Sequence, residues 1–169
     1  LGITADAKDF VALLLKASEK ISFQPNEFWL KAIKKWKVEY PSITKDFYDD
    51  KTHVNSYVFF DKLSACMGFE DILLTGIALD AVGMYQAFKV KKGQRAFVNK
   101  NFGPMGWGLP AAVGACVACN NKRVVLVTGD GSLNLNLQEL GTVDAYRLPV
   151  KIFVFNFFPV TIIFSALMT

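Results

Sequence analysis

Histidine is almost absent from this sequence, His53 being the only one. A Ser–His–Asp or Cys–His arrangement would lack its base, so chemistry here has to be borrowed from a cofactor. Cysteine is scarce as well, at three residues. An odd number excludes a closed disulfide framework, and with no leader-like segment at the start it leads to the expectation of a reducing cytoplasm. Cys66 reads as a core residue. Cys116 and Cys119 spell CxxC, but they end an Ala- and Gly-rich helical stretch and no fourth ligand accompanies them, so neither a redox pair nor a zinc site is expected. Charge is sparse too: 20% of residues are charged and 52% hydrophobic, which excludes a disordered chain and allows one sizeable core. The 19 Lys and Arg against 15 Asp and Glu are too small an excess to imply a nucleic-acid partner. A basic run, Lys89 to Arg123, has no acid between Asp80 and Asp130 and reads as a solvated surface. Ile152 to Met168 is largely apolar, but Asn156, Pro159, Thr161 and Ser165 interrupt it. At ~17 residues it is short for a membrane span, and no membrane association is expected.

What is present is periodicity. Residues 4–20 place Phe10, Leu13, Leu14 and Ala17 at helical spacing, and Asn26 to Tyr40 forms a second helical stretch ended by Pro41. The tryptophans of that stretch read as packing residues. Pro41 to Asn55 is polar and irregular, as a linker would be. From Ser56 the pattern changes to a helix at Tyr57 to Met67 and then short apolar runs alternating with helical segments. The strands expected are Ile72 to Thr75, Ala96 to Asn99, Val124 to Thr128 and Val150 to Phe155; the helices between them are Asp80 to Phe88, Leu109 to Cys119 and Asn136 to Arg147. Such alternation implies an α/β fold, a doubly wound parallel sheet with right-handed crossovers. Gly141 is expected to let the last helix sit close to the sheet. The division implied is 1–22 as the remnant of a preceding domain, 23–55 as a helical linker and 56–169 as the α/β domain, incomplete at its C-terminus.

The strongest local signal is the buried strand Val124 to Thr128 running into Gly129-Asp130-Gly131-Ser132. Ligands of open α/β sheets bind at this carboxyl edge. Gly129 and Gly131 are expected to use φ values that other residues resist, free amides and Ser132 to donate to phosphate, and Asp130 to hold a hard cation such as Mg2+ beside a diphosphate. After this turn come Asn136-Leu137-Gln138-Glu139-Leu140, then Leu148-Pro149-Val150-Lys151-Ile152 and Asn156; before it stands Gly103-Pro104-Met105-Gly106-Trp107-Gly108-Leu109-Pro110-Ala111-Ala112. Together these resemble the two coenzyme motifs of thiamine-diphosphate-dependent enzymes of the acetolactate synthase type. Leu1 to Leu15 resembles the close of that family's central domain. The resemblance implies thiamine diphosphate and Mg2+ as cofactors, a 2-oxo acid as substrate and a homo-oligomeric parent enzyme. It also implies roles: Asp130 as metal ligand, Gly131 and Ser132 on the diphosphate with Gly129 at the turn, and the Gly103 carbonyl and Met105 amide on the aminopyrimidine. Met105 would further wedge the coenzyme into the bent form that brings its own base over the thiazolium carbon.

Three departures qualify those expectations. Phe157 stands where the family's second Asn ligates the metal, so metal binding is expected to be weak. Thr75-Gly76-Ile77-Ala78-Leu79-Asp80 replaces an Asp-x-Gly stretch and the polar diphosphate donors after it, and Val98-Asn99-Lys100-Asn101 replaces a small Ser-Gly-Gly stretch. The family's activating Glu comes from an N-terminal domain that Glu19, Glu27 and Glu39 do not match, so the chain alone is expected to be catalytically silent, with no catalytic residue of its own. A non-catalytic interaction module that has lost metal binding is the alternative. Phe157 to Thr169 shows no clear period and reads as a frameshift, truncation or misjoined end.

Overall fold

The computed structural model describes residues 2–22, 24–50, 52–157 and 160–165, with the backbone alone for 157 and 160–165. The chain divides into two compact units, Leu1–Pro41 and Ser42–Thr169.

In the first unit both amphipathic stretches are helices, α1 (Ala7–Ser18) and α2 (Glu27–Glu39). Each starts at a side-chain cap: Asp6 accepts from the Lys8 N–H at 2.8 Å and Asn26 from the Trp29 N–H at 3.1 Å. Such a cap satisfies one of the donors a helix start leaves without an intrahelical partner. Neither helix has a buried residue. Trp29 and Trp36 pack edge-to-face on each other, ring centroids 6.1 Å apart, while both stay about half exposed.

The second unit opens with α3 (Asp46–Asp49) and α4 (Ser56–Cys66) and then alternates: β1 (Ile72–Thr75), α5 (Leu79–Ala87), β2 (Arg95–Phe97), α6 (Gly108–Ala118), β3 (Val124–Gly129), α7 (Asp130–Asn134), α8 (Glu139–Ala145), β4 (Val150–Phe157) and β5 (Val160–Ser165). The sheet order is β2-β1-β3-β4-β5. The first four strands are parallel, as the alternation requires, and β5 pairs antiparallel with β4. That hairpin is the main departure from the all-parallel expectation. Part of the segment without apparent period therefore pairs as a strand, Ile152 opposite Ser165 through Phe157 opposite Val160. Residues 158, 159 and 166–169 of that tail lie outside the described residues. Among the described residues no helix is long and apolar enough to cross a membrane.

Strand parity sorts the core into two layers, because successive side chains point to opposite faces. Ile72, Leu74, Val124, Leu126, Val150, Ile152 and Val154 meet Leu109, Ala112 and Cys116 of α6 and Val143 of α8 on one face. Leu73, Val125, Val127 and Phe155 meet Phe60 and Leu63 of α4 and Met84 and Ala87 of α5 on the other. Helices on both faces of a sheet whose central strands are buried make the doubly wound α/β arrangement.

Three local expectations are corrected. Cys66 is exposed, because α4 buries Phe60, Leu63 and Ser64 and position 66 falls out of phase with them. The helix expected from Asn136 begins at Glu139, so its buried residue is Val143, and Leu148 lies beyond its end. Gly141 is exposed, and a Cβ added there would meet nothing within 4 Å; it lets nothing approach.

Candidate coenzyme site

The strand order fixes where a ligand can sit. The connection leaving β1 runs through α5 to β2, and the one leaving β3 runs through α8 to β4 on the opposite side. β1 and β3 are adjacent, with Thr75 beside Val127, so their carboxyl ends open a crevice at a topological switch point. The segments that leave them are Gly76 to Asp80 and Gly129 to Ser132.

β3 passes directly into α7, with Gly129 as the N-cap at φ −80° and ψ 155° and no side-chain cap. The expected left-handed glycines are not used here: positive φ among glycines occurs at Gly93, Gly103 and Gly106. The strand needs no reversing turn because it feeds straight into the helix start. What Gly131 supplies is room, since an added Cβ would lie 3.3 Å from Met105 Cε. The first-turn N–H groups of α7 have neither an intrahelical partner nor a side-chain cap. Asp130 is half-buried and its carboxylate makes no hydrogen bond or ion pair among the described residues.

The segment ahead of α6 is tied onto this turn. Ser132 Oγ accepts from the Gly106 N–H at 2.9 Å, and Asn136 Nδ2 donates to the Gly106 carbonyl at 2.7 Å. Gly106, at φ 85°, is buried, and a Cβ there would lie 2.7 Å from Asn136 Nδ2. Gly103, at φ 54°, rests against Ile77 of the β1 segment, 3.4 Å from an added Cβ to Cδ1. Gly108 lets α6 approach β3, 3.0 Å from an added Cβ to Leu126 Cδ1. Thus Gly103, Met105, Gly129, Asp130, Gly131 and Ser132, about 26 positions apart in sequence, form one patch. Asn136, Gly108 and Ile77 complete it. Sequence reasoning quoted Asn136 and Gly108 only as motif letters, because their partners are visible only in space.

Asp80 follows β1 at the same end of the sheet and is 3% exposed. Its Oδ1 accepts from the Ala78 N–H at 2.8 Å, while Oδ2 is buried without a hydrogen-bond partner among the described residues. Burial pushes this carboxyl above its ordinary range, against the opposing pull of the Ala81, Ala78 and Gly76 N–H groups. The Gly76 N–H is itself committed to the Val127 carbonyl at 2.9 Å, so Oδ2 gains no full bond from it.

The CxxC pair contributes nothing to this patch. Cys116 is buried, with its Sγ 3.5 Å from the Lys122 carbonyl, and burial pushes its thiol up. Among the described residues no group of three or more His, Cys, Asp or Glu could hold a metal. A cavity of about 510 Å³ lies at the other edge of the sheet, lined by residues that include Ile72, Arg95 and Lys122 at the strand starts, away from the glycine turns.

Residues 81–156 match the family model of the thiamine pyrophosphate enzyme, C-terminal TPP binding domain. The unit carrying them is similar to the TPP-binding domain of enzymes of the acetolactate synthase type. The chain is 32% identical over 149 residues to the acetolactate synthase large subunit of Cyanidium caldarium, covering 88% of this chain and 25% of that protein. It is 30% identical over 156 residues to the acetolactate synthase isozyme 1 large subunit of Escherichia coli (strain K12), covering 92% and 27%. A probable acetolactate synthase large subunit of Methanocaldococcus jannaschii is 32% identical over 160 residues, covering 91% and 27%. The chain thus spans about a quarter of the length of these relatives.

This family implies thiamine pyrophosphate and typically Mg2+, and the patch fits the coenzyme in part. The uncapped start of α7 and the Asp130 carboxylate, unpaired among the described residues, suit a diphosphate that brings its own cation. Magnesium commonly takes one or two protein carboxylates and fills the rest of its shell with phosphate and water. Phenylalanine at position 157 of the sequence brings no metal-binding atom, and a buried acid, Asp80, follows the neighbouring strand β1.

Proposed function

We propose that this chain seats the diphosphate end of thiamine pyrophosphate at the Gly129–Ser132 turn, as the coenzyme-binding part of a 2-oxo acid decarboxylase or carboligase resembling the acetolactate synthase large subunit. The observation that carries this reading is the meeting of the two motifs at the switch point, with the Met105 methyl over Gly131 and Ser132 holding Gly106. Asp130 holds the Mg2+. Gly131 and Ser132 face the diphosphate; the Ser132 oxygen already accepts from Gly106, which leaves its own hydrogen to donate. The Gly103 carbonyl and Met105 amide take the aminopyrimidine, and the Met105 side chain sets its angle. When bound, the coenzyme supplies an electron sink for the carbanion chemistry of 2-oxo acids. The residues of this chain bind and orient it. Activation is assigned to another domain of the parent protein, which we read as a homo-oligomer, and cytoplasmic on the strength of its free cysteines.

The test is calorimetric titration of thiamine pyrophosphate with and without Mg2+. Weak, Mg2+-dependent binding that is lost in Asp130→Ala is expected. Binding that survives Asp130→Ala would remove Asp130 from its role. No binding at all favours the second reading, a non-catalytic interaction module, for which the acid at Asp80 and the phenylalanine at 157 speak.

A further inference from the structure

Asp80 is a buried carboxyl that no cation answers among the described residues. It sits at the start of α5, a helix packed chiefly on α4, β1 and β3. The titratable groups of those elements are accounted for. On α4, Asp61 is engaged by Lys89 at 2.6 Å, Lys62 lies over the Tyr48 ring, Tyr57 packs against Phe47, and Cys66 is exposed. On α5 itself, Tyr85 lies under Lys100. β1 and β3 carry no charged residue; Asp130, which follows β3, is itself an acid.

The carboxyl also has little freedom to leave. A Cβ built on Gly76 would lie 2.3 Å from Asp80 Oδ2, so the carboxyl occupies the place where a side chain at position 76 would begin. Gly76 is locked to β3 through its N–H to the Val127 carbonyl. The acid is thereby held over Gly76, just beyond the end of β1, the strand that pairs with the one delivering Gly129 to Ser132.

We propose that Asp80 takes up a proton when the coenzyme's diphosphate docks on the neighbouring turn, making coenzyme loading proton-linked. This rests on the coenzyme-seat reading above. Two anionic groups in a poorly solvated crevice repel, and the weaker acid relieves the repulsion by protonating. By linkage, whatever binds more tightly to the protonated form raises its proton affinity in return.

The experiment is titration of thiamine pyrophosphate with Mg2+ into the full chain and into Asp80→Asn, across about pH 5 to 8. It is repeated in buffers of different ionisation heat to count protons. The coenzyme's own titration is common to both proteins and cancels in the comparison. Expected is an affinity that falls relative to the variant as pH rises, by at most about tenfold per unit for one proton, and a proton uptake that the variant lacks. Superimposable pH profiles and equal proton counts would overturn the proposal while leaving the coenzyme seat standing. If neither protein binds, the seat reading fails and the proposal with it. Should Asp80→Asn not fold, Asp80→Thr serves as the neutral variant. If neither variant folds, the unaltered chain decides: a proton count that the coenzyme's own titration fully accounts for overturns the proposal.

Discussion

Replacing Gly83 by alanine should destabilise this protein even though the same change at Gly141 should stabilise it. Both glycines lie inside helices, where alanine is favoured by up to about 1 kcal/mol. At Gly141 the new methyl meets nothing within 4 Å, so the full propensity gain of roughly 0.5–1 kcal/mol is expected. At Gly83 the added Cβ would lie 2.6 Å from Phe60 Cδ2 and 2.9 Å from Cε2. The ring would have to retreat by about an ångström to restore ordinary contact. It has nowhere to go: Phe60 is fully buried and packed edge-on against Phe59 and Phe155, with centroids at 5.3 and 6.1 Å. Overpacking of this kind costs ~1–3 kcal/mol. With two ring atoms in conflict the upper part of that range applies, leaving a net loss of about 1–2 kcal/mol once the propensity gain is subtracted. Urea denaturation with an unchanged slope measures both variants. A Phe60→Leu background should recover part of the Gly83→Ala loss, a coupling read from the double-mutant cycle. A Gly83→Ala protein as stable as Gly141→Ala, with no coupling to Phe60, would refute the packing argument.

The other consequences concern the edges of the sheet. Arg123 clamps the buried Asp71 with two hydrogen bonds, one of them 2.8 Å from Nε to Oδ1, and Asp71 also accepts from the Gly68 N–H. Burial pushes Asp71 up, but the guanidinium and the Gly68 amide outweigh it and hold the carboxyl below its ordinary value. Its stabilisation is therefore complete above the unfolded carboxylate pKa and is lost as pH falls through the lower folded one. Arg123→Ala should cost about 1–3 kcal/mol, less than a fully buried pair because the Arg side chain is 46% exposed, and should flatten the acid limb of stability against pH. Asp80 works with the opposite sign. Its raised value means stability falls as pH rises from the unfolded pKa through the folded one, and Asp80→Asn should remove that slope in thermal unfolding. Ser132→Ala leaves the buried Gly106 N–H without its acceptor; about 1 kcal/mol of stability should go, with faster amide exchange at Gly106 as the direct readout.

The sequence alone determined the succession of elements and the motifs. The alternation of β-branched runs with helical segments is a local property, and it set β1 to β4 and six of the helices to within about three residues. Glycines and turn residues marked the Gly129–Ser132 segment, and spacing gave its resemblance to the thiamine enzymes. Tertiary structure alone decided what each glycine is for. Gly131 makes room for Met105 and Gly83 for Phe60, whereas Gly141 faces open space, and identical residues in similar helices carry no local mark of that difference. Pairing of β5 with β4 was invisible for the same reason: an apolar run without a period becomes a strand only when a partner edge is presented to it. Asp80 is the clearest case. Its letter marked only the end of a stretch that departs from the family's polar diphosphate donors; its burial, its orphaned oxygen and its place over Gly76 follow from β1 and β3 lying side by side, a contact between residues some fifty positions apart that only the folded chain creates.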